Sequence, residues 1–340
     1  MDRDEPPVAW LLNSTDPSIR YFTLVELLDE STGSAEVRKA REKIPEGPRF
    51  RALLDGQRGS DELPRRASSK GNLKFSAQRG GFGVHPYQKW TGAHWRLVSL
   101  VELGLPSGHR RGIAAAEQVL RWLWGESHRM SIKRTNGLAR RCASQEGNAL
   151  AVCSRLGLAD DERVGGLAES LIEWQWPDGG WNCDKRPEAD HSSFYESLAP
   201  LWGLFEYHRA IGDPECLKAA QHATELFLRH RLFRSENAGQ VINNEWLKFH
   251  YPLYWHYDIL QGLRILSLVD GLNDPRAQEA LDVLEQKRDP HGLWRVEGCY
   301  WAPVGRRKSN VDVVDWGREG PNEMITLNAL RVLKTAGRIR

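Results

Sequence analysis

The sequence predicts an all-α fold: a single α/α toroid of about six helix pairs, arranged as an inner and an outer ring. Three observations support this prediction. An apolar helical pattern that ends in a leucine-rich turn recurs along the 340 residues. A second, more charged helical pattern lies between successive copies. No long stretch alternates apolar and polar residues in the manner of a half-buried strand.

The apolar copies are roughly 50 residues apart in the middle of the chain, a period typical of helix-pair repeats. They begin at Ser18, Thr91, Gln145, Ser192, Trp255 and Asn322. Because the two patterns differ in polarity, we expect the apolar helices inside the ring and the charged helices outside. The first and last copies are as apolar as the middle ones, which favours a closed ring over an open solenoid with polar ends.

The whole chain, residues 1–340, is predicted to form one toroid domain. Two polar segments interrupt the repeats, near 45–69 and near 301–321. Both are rich in glycine and arginine, so we expect irregular insertions there within the first and last repeats.

Charge and composition exclude several classes of protein. With 47 basic and 45 acidic residues, the net charge is +2, without the basic excess typical of nucleic-acid-binding proteins. No apolar run reaches the roughly 18 residues of a transmembrane segment. The N-terminus lacks a secretion signal and the five cysteines are odd in number, so we expect reduced thiols in a cytoplasmic protein. The 14 tryptophans indicate stacked structural positions, an aromatic cavity or both. The oligomeric state is left open.

Two turns carry a specific resemblance to a known superfamily. Gln175, Gly179 and Trp181 follow a helical pattern in "LIEWQWPDGGW", and a similar spacing recurs over Gln286–Trp294 in "QKRDPHGLW". This spacing resembles the Gln-Trp repeat of squalene–hopene and oxidosqualene cyclases, and Gly-Gly-Trp before an aromatic-rich helix is also typical of protein prenyltransferase β subunits. The chain therefore resembles the terpenoid cyclase and protein prenyltransferase superfamily, and short bacterial squalene-cyclase-like proteins within it. The resemblance implies an α/α toroid.

We expect the Gln-Trp turn itself to be structural. A glutamine near a helix exit can hydrogen-bond exposed backbone groups, glycine at Gly179 or Gly180 permits a positive φ, and Trp181 can then cover the turn. The acid motif of class II cyclases, Asp-x-Asp-Asp, is missing: the nearest string, "DVVD" at Asp312–Asp315, has the wrong spacing. A standard triterpene cyclisation is therefore not expected.

Titratable residues occupy the predicted N-terminal ends of inner helices, which would converge on the mouth of a toroid cavity. The candidate acid–base residues are Glu146, Glu196, His256 and Asp258. Aromatic residues beside them are candidates to contact a substrate, namely Trp95, Tyr195, Trp255 and Tyr257. The structural alternative is that the carboxylates cap helices and that the aromatic rings pack the inner ring.

Cys142, Cys183 and His191 form a candidate metal site. Two thiolates and an imidazole would leave a fourth coordination position open, as catalytic zinc requires, so zinc is the ion expected if a metal is bound. The Cys-x7-His spacing is not a standard ligand pair, and the Asp-x-Cys of prenyltransferases is absent. The alternative is two partly buried thiols with no metal.

The leading functional hypothesis is a cytoplasmic enzyme, a cyclase or transferase, that acts on an apolar, isoprenoid-like substrate in a central cavity. Its chemistry would be acid–base or metal-assisted. Two alternatives stay open at this point. One is a toroid that binds a ligand without catalysis. The other is a carbohydrate-active α/α barrel, which would also use aromatic platforms and paired carboxylates.

Overall fold

Helices make up most of the regular structure in the computed structural model, which describes residues 1–57, 81–306 and 309–339. Within these residues the one sheet is a two-stranded hairpin. The predicted predominance of helices is therefore confirmed, whereas their arrangement in a ring stays a prediction. Among the described helices, none has both the length and the apolar character needed to cross a bilayer.

The helices are numbered along the chain. They are α1 (Pro6–Leu12), α2 (Pro17–Phe22), α3 (Ala35–Lys43), α4 (Pro48–Leu54), α5 (Ala93–Glu102), α6 (Arg110–Leu123), α7 (Glu126–Arg129), α8 (Ser144–Arg155), α9 (Glu162–Trp174), α10 (Phe194–Ile211), α11 (Pro214–Arg229), α12 (Ile259–Leu266), α13 (Gln278–Gln286) and α14 (Glu323–Thr335). The strands are β1 (Lys133–Thr135) and β2 (Leu138–Arg140). A π-helical turn, Thr23–Leu27, continues α2, and short 3₁₀ turns lie at Ile44–Glu46, Asn244–Leu247, Ser267–Val269, Gly271–Asn273 and Pro275–Ala277.

The alternation of two helix types follows the sequence pattern. The apolar copies form α2 with its π-helical turn, α5, α8, α10, α12 and α14, and the charged patterns between them form α6, α9, α11 and α13. Burial separates the two types. Residues Met324–Leu330 of α14 are all buried, as an apolar helix packed on several sides requires. Helix α9 instead buries one face, while its other residues are half-buried or exposed.

The segment 45–69, predicted to be an irregular insertion, contains regular structure in its described part. Helix α4 forms within this segment, and its Phe50 side chain is buried, so an apolar face holds the helix in place. Residues 58–69 lie outside the described residues. The described part of 301–321 contains isolated bridges but no helix or strand.

The chain divides into two compact units. The first comprises Met1–Arg51, Ala223–Tyr300 and Asp315–Arg340, and the second comprises Ala52–His222 and Trp301–Val314. In the first unit, α14 packs against α1, α2 and α12. In the second unit, α8 packs against α5, α6, α9 and α10 and is buried along most of its length.

The contact between α8 and α10 brings two backbones together. A Cβ atom on Gly147 of α8 would lie 2.3 Å from the Pro200 nitrogen of α10. In return, a Cβ atom on Gly203 would lie 2.4 Å from the Gly147 carbonyl oxygen. Because the side chains at a helix crossing set the interaxial distance, glycine at both positions is what permits this approach.

The first Gln-Trp turn is a set of capping contacts in the second unit. Trp181 is 1% exposed, and its indole N–H donates to the Leu171 carbonyl of α9 at 2.9 Å. The Gln175 amide donates to the carbonyls of Gly179 at 2.8 Å and Ala219 at 2.9 Å. Gly179 has a φ of +102°, which a side chain would disfavour. The Trp181 contact satisfies a backbone carbonyl in the last turn of α9, and the Gln175 amide ties the turn to α11.

The same arrangement recurs in the first unit. The Trp294 indole donates to the Leu284 carbonyl at 2.8 Å, ten residues earlier, just as in the first turn. The backbone N–H of Trp181 donates to the Ser197 hydroxyl at 3.0 Å, and that of Trp294 donates to the Thr326 hydroxyl at 3.0 Å. Each turn is therefore fastened to the first turns of the apolar helix that follows it.

The hairpin β1–β2 was not expected from the sequence, although it carries a recognisable signal. Its strands are three residues long, too short for an alternating pattern to be visible. The turn between them is Asn136-Gly137, with φ values of +53° and +78°. Asn-Gly is the preferred pair for a two-residue hairpin turn with positive φ at both positions.

Replacing Trp181 by alanine is expected to lower the free energy of unfolding by about 3–5 kcal/mol, because a buried indole and its hydrogen bond are lost. Chemical denaturation measures the change. The matched control is Trp255→Ala, at a tryptophan that is 39% exposed, which should cost much less. Equal losses for the two variants would contradict the structural role of the turn.

Candidate functional site

A backbone bridge in the second unit sets two cysteines side by side. Arg140, the last residue of β2, forms a parallel bridge with Asn182, and the Arg141 N–H donates to the Asn182 carbonyl at 3.0 Å. Cys142 and Cys183 directly follow these paired residues. The hairpin β1–β2, which the sequence did not predict, and the Gln-Trp turn thus hold the two thiols side by side.

The thiols meet a carboxylate from α10. One ligand atom from each of Cys142, Cys183 and Glu196 lies within 4.8 Å of the other two. Both cysteines are half-buried and Glu196 is buried. No other group of three such residues lies this close within residues 1–57, 81–306 and 309–339. We call these three residues the Cys–Cys–Glu cluster.

Glu196 is oriented by the N-terminus of α8. Its Oε2 accepts from the Ser144 backbone N–H at 3.1 Å and from the Ser144 hydroxyl at 2.7 Å. Burial raises the pKa of the Glu196 carboxyl, and the bonds from Ser144 oppose that rise. The Glu196 carboxylate of α10 therefore caps the N-terminus of α8. The same carboxylate lies beside the two thiols.

The two thiols hydrogen-bond each other. The contact with Cys142 lowers the pKa of Cys183, because the Cys142 S–H stabilises a thiolate there. The same contact, together with burial, raises the pKa of Cys142. The Cys183 thiol is therefore easier to deprotonate than the Cys142 thiol.

An aromatic group lies beside the cluster. Burial raises the pKa of the Tyr87 hydroxyl, which interacts with Gln145 and senses the charges of Glu196 and Cys142. The Tyr87 ring stacks on Trp122 at 5.3 Å between centroids and contacts Trp95 at 4.9 Å. Trp95 was expected to contact a substrate, and it is 1% exposed, packed in this group.

Glu146 belongs to a different polar group in the same unit. Its Oε1 accepts from Arg141 Nε at 3.0 Å and lies 3.0 Å from His128 Nε2. Arg141 also contacts His128 and Gln145. Glu146, 2% exposed, is thus paired inside the fold next to Cys142 but not with it.

His191 does not join the cysteines. Its side chain is 84% exposed and lies 3.0 Å from the Asp190 carboxylate, which is 88% exposed. The backbone explains this placement: the Asn182 amide donates to the His191 carbonyl at 2.8 Å, and Asp178 accepts from the Ser192 backbone N–H at 2.7 Å. The loop is fixed through its main chain, and the imidazole points outwards.

The remaining predicted residues have varied surroundings. Tyr195 is half-buried in the first turn of α10. In the first unit, Tyr257 is fully buried and its hydroxyl donates to the Leu232 carbonyl at 2.8 Å, as a packing residue would. Trp255 is 39% exposed and contacts His256, whose ring stacks on Tyr300 at 3.6 Å between centroids.

Asp258 pairs with His250, a residue that the sequence reasoning missed. Its Oδ2 lies 2.9 Å from His250 Nδ1 and accepts from the His250 backbone N–H at 3.1 Å, while Oδ1 caps α12 through the Gln261 N–H at 2.9 Å. Asp258 is 0% and His250 1% exposed. His250 Nε2 is buried and has no hydrogen-bond partner among the described residues. The sequence signal that could have drawn attention to His250 is the dipeptide His-Tyr, which occurs twice in "HYPLYWHYD".

Replacing Asp258 by alanine is expected to lower the free energy of unfolding by roughly 3–5 kcal/mol, because it leaves a buried histidine without its partner and removes a helix cap. The matched control is Asp190→Ala, which breaks the exposed Asp–His pair and should cost at most about 1 kcal/mol. Chemical denaturation compares the two variants. Similar losses would show that burial of the Asp258–His250 pair contributes nothing.

Comparison with known proteins adds no assignment. The chain matches no protein-family model, and no curated protein is significantly similar to it. The resemblance of the Gln-Trp turns to those of terpenoid cyclases is therefore one of local motif, and function must be argued from the chemistry of the side chains described above.

Proposed function

We propose that the chain is a zinc-dependent enzyme of cyclase or transferase type, with Cys142, Cys183 and Glu196 as the metal ligands. The observation that carries this proposal is the distance between the three ligand atoms, none of which lies more than 4.8 Å from another. Ligand atoms of a tetrahedral zinc with bonds of about 2.0–2.3 Å lie roughly 3.3–3.8 Å apart. Small side-chain movements would therefore let one ion reach all three atoms.

The chemistry of the ligands fits zinc better than a hard cation. Two thiolates and one carboxylate match the soft and borderline donors that zinc accepts, whereas calcium and magnesium prefer oxygen alone. Three protein ligands leave one coordination position for water or substrate. Bound zinc would act as a Lewis acid there and would acidify a water or a thiol that occupies this position.

The surrounding residues would hold and shape the site. Ser144 fixes the Glu196 carboxylate through two hydrogen bonds, a role typical of second-shell groups around metal ligands. Tyr87 interacts with the charges of Glu196 and Cys142, and it is the partly exposed member of the aromatic group that also contains Trp95 and Trp122. Its ring and its hydroxyl are the aromatic groups that the site offers to a substrate with an apolar body.

The proposed substrate class is apolar and isoprenoid-like. Its support is the resemblance of the Gln-Trp turns to those of terpenoid cyclases and prenyltransferases, together with the aromatic residues beside the cluster. The ring arrangement of helices and a cytoplasmic location belong to the same proposal. The missing Asp-x-Asp-Asp favours metal-assisted chemistry over protonation of an alkene by a carboxylic acid.

Purified protein is expected to contain about one zinc per chain by elemental analysis, with sulfur scatterers at roughly 2.3 Å in X-ray absorption. Cys183→Ser and Glu196→Gln should lower the zinc content at least several-fold. The matched control is Cys153→Ala, at a buried thiol on α8 outside the cluster, which should retain full zinc. Wild-type protein that takes up no zinc would exclude the metal site.

A turnover assay distinguishes the proposed enzyme from a protein that only binds its ligand. Wild type and Glu196→Gln are incubated with prenyl diphosphates, polyprenols and oligosaccharides, and both product formation and binding are measured. An enzyme of the proposed class should convert an isoprenoid, and the variant should lose conversion while its far-UV circular dichroism spectrum still shows the folded helices. Binding without conversion in either protein would favour the non-catalytic alternative, and conversion of an oligosaccharide would favour the carbohydrate-active one.

A further inference from the structure

A cavity lies in the second unit, formed by α6, α7, β1 and α9. Its volume is about 420 Å³, within the usual range for small-molecule sites. Leu123, Trp124, Leu167 and Trp174 give it apolar and aromatic walls, and Glu146 lines it as well. None of the Cys–Cys–Glu cluster residues is among the residues that line it.

Glu146 presents an unpaired oxygen. All the hydrogen bonds that its carboxylate receives fall on Oε1, from Arg141 and His128. Oε2 is buried and has no hydrogen-bond partner. A buried carboxylate oxygen without a donor is costly, and a ligand N–H or O–H that reached it would recover that cost.

The rim of the cavity carries a cation. Arg129, an exposed residue of α7, lines the cavity, and its guanidinium lies over the Trp124 ring at 4.9 Å from the centroid. No carboxylate among the described residues forms an ion pair with it. Arg134, also at the rim, is already paired with Glu173. The guanidinium of Arg129 therefore has donors left for an anionic group.

We propose that this cavity binds a small aromatic carboxylate that bears a phenolic or amino donor. The donor would meet Glu146 Oε2, the ring would lie against the indoles of Trp124 and Trp174, and the carboxylate would meet Arg129. Of these groups Glu146 is the most buried, at 2% exposure, and Arg129 is exposed. This site is separate from the proposed zinc centre, so either assignment can fail without the other.

The test is isothermal titration of the full chain with two probes, 4-hydroxyphenylacetate and phenylacetate. They differ only in the hydroxyl that would donate to Glu146. The hydroxylated probe is expected to bind, and phenylacetate at least ten-fold more weakly. Equal affinity for both probes, or no binding of 4-hydroxyphenylacetate at millimolar concentration, would overturn the proposal.

Variants locate the binding site. Ser170, on α9, lines the cavity, and Ser170→Trp should fill it and abolish binding of 4-hydroxyphenylacetate. The matched control, Glu169→Trp, adds the same side chain at the exposed neighbouring position and should bind as wild type does. Arg129→Gln should weaken binding at least five-fold. Full affinity in Ser170→Trp or in Arg129→Gln would contradict the assignment, while zinc content serves as an independent measure of the other site.

Discussion

The close approach of α8 and α10 is the constraint on which the candidate site depends. Glycine at Gly147 and Gly203 lets the two backbones touch, and this contact brings the first amide of α8 to the carboxylate of Glu196. A methyl group at either glycine would press on the opposite backbone and push the helices apart. The carboxylate would then lose Ser144 and its position beside the thiols.

The helices and the Gln-Trp turns were predictable because their signals are local. Periodicity marks α8 and α14, and the contacts of Trp181 with the end of its own preceding helix lie within ten residues. The pairing of Asp258 with His250 was not predictable in the same way. Sequence reasoning considered His256, two residues away, whereas the chain folds back so that a residue eight positions earlier meets the carboxylate.

The candidate metal site shows where sequence reasoning reaches its limit. Cys142 and Cys183 could be placed together because they precede two successive apolar helices, α8 and α10. Their proximity in the structure comes from one backbone bridge at Asn182. The third residue could not be chosen. His191 is nearer in sequence, but its loop is anchored by main-chain bonds, while Glu196 is carried inwards by a helix. Loop direction depends on tertiary contacts that no local pattern records.

The fastening of each Gln-Trp turn to the following apolar helix has a consequence for how the protein loses its structure. Trp181 is tied to Ser197 and Trp294 to Thr326, so in each unit one turn is joined to the apolar helix that follows it. Local opening of such a turn must break its hydrogen bond to the helix as well as its own packing. The serine or threonine hydroxyl therefore couples the opening of the turn to the fraying of the first turn of that helix.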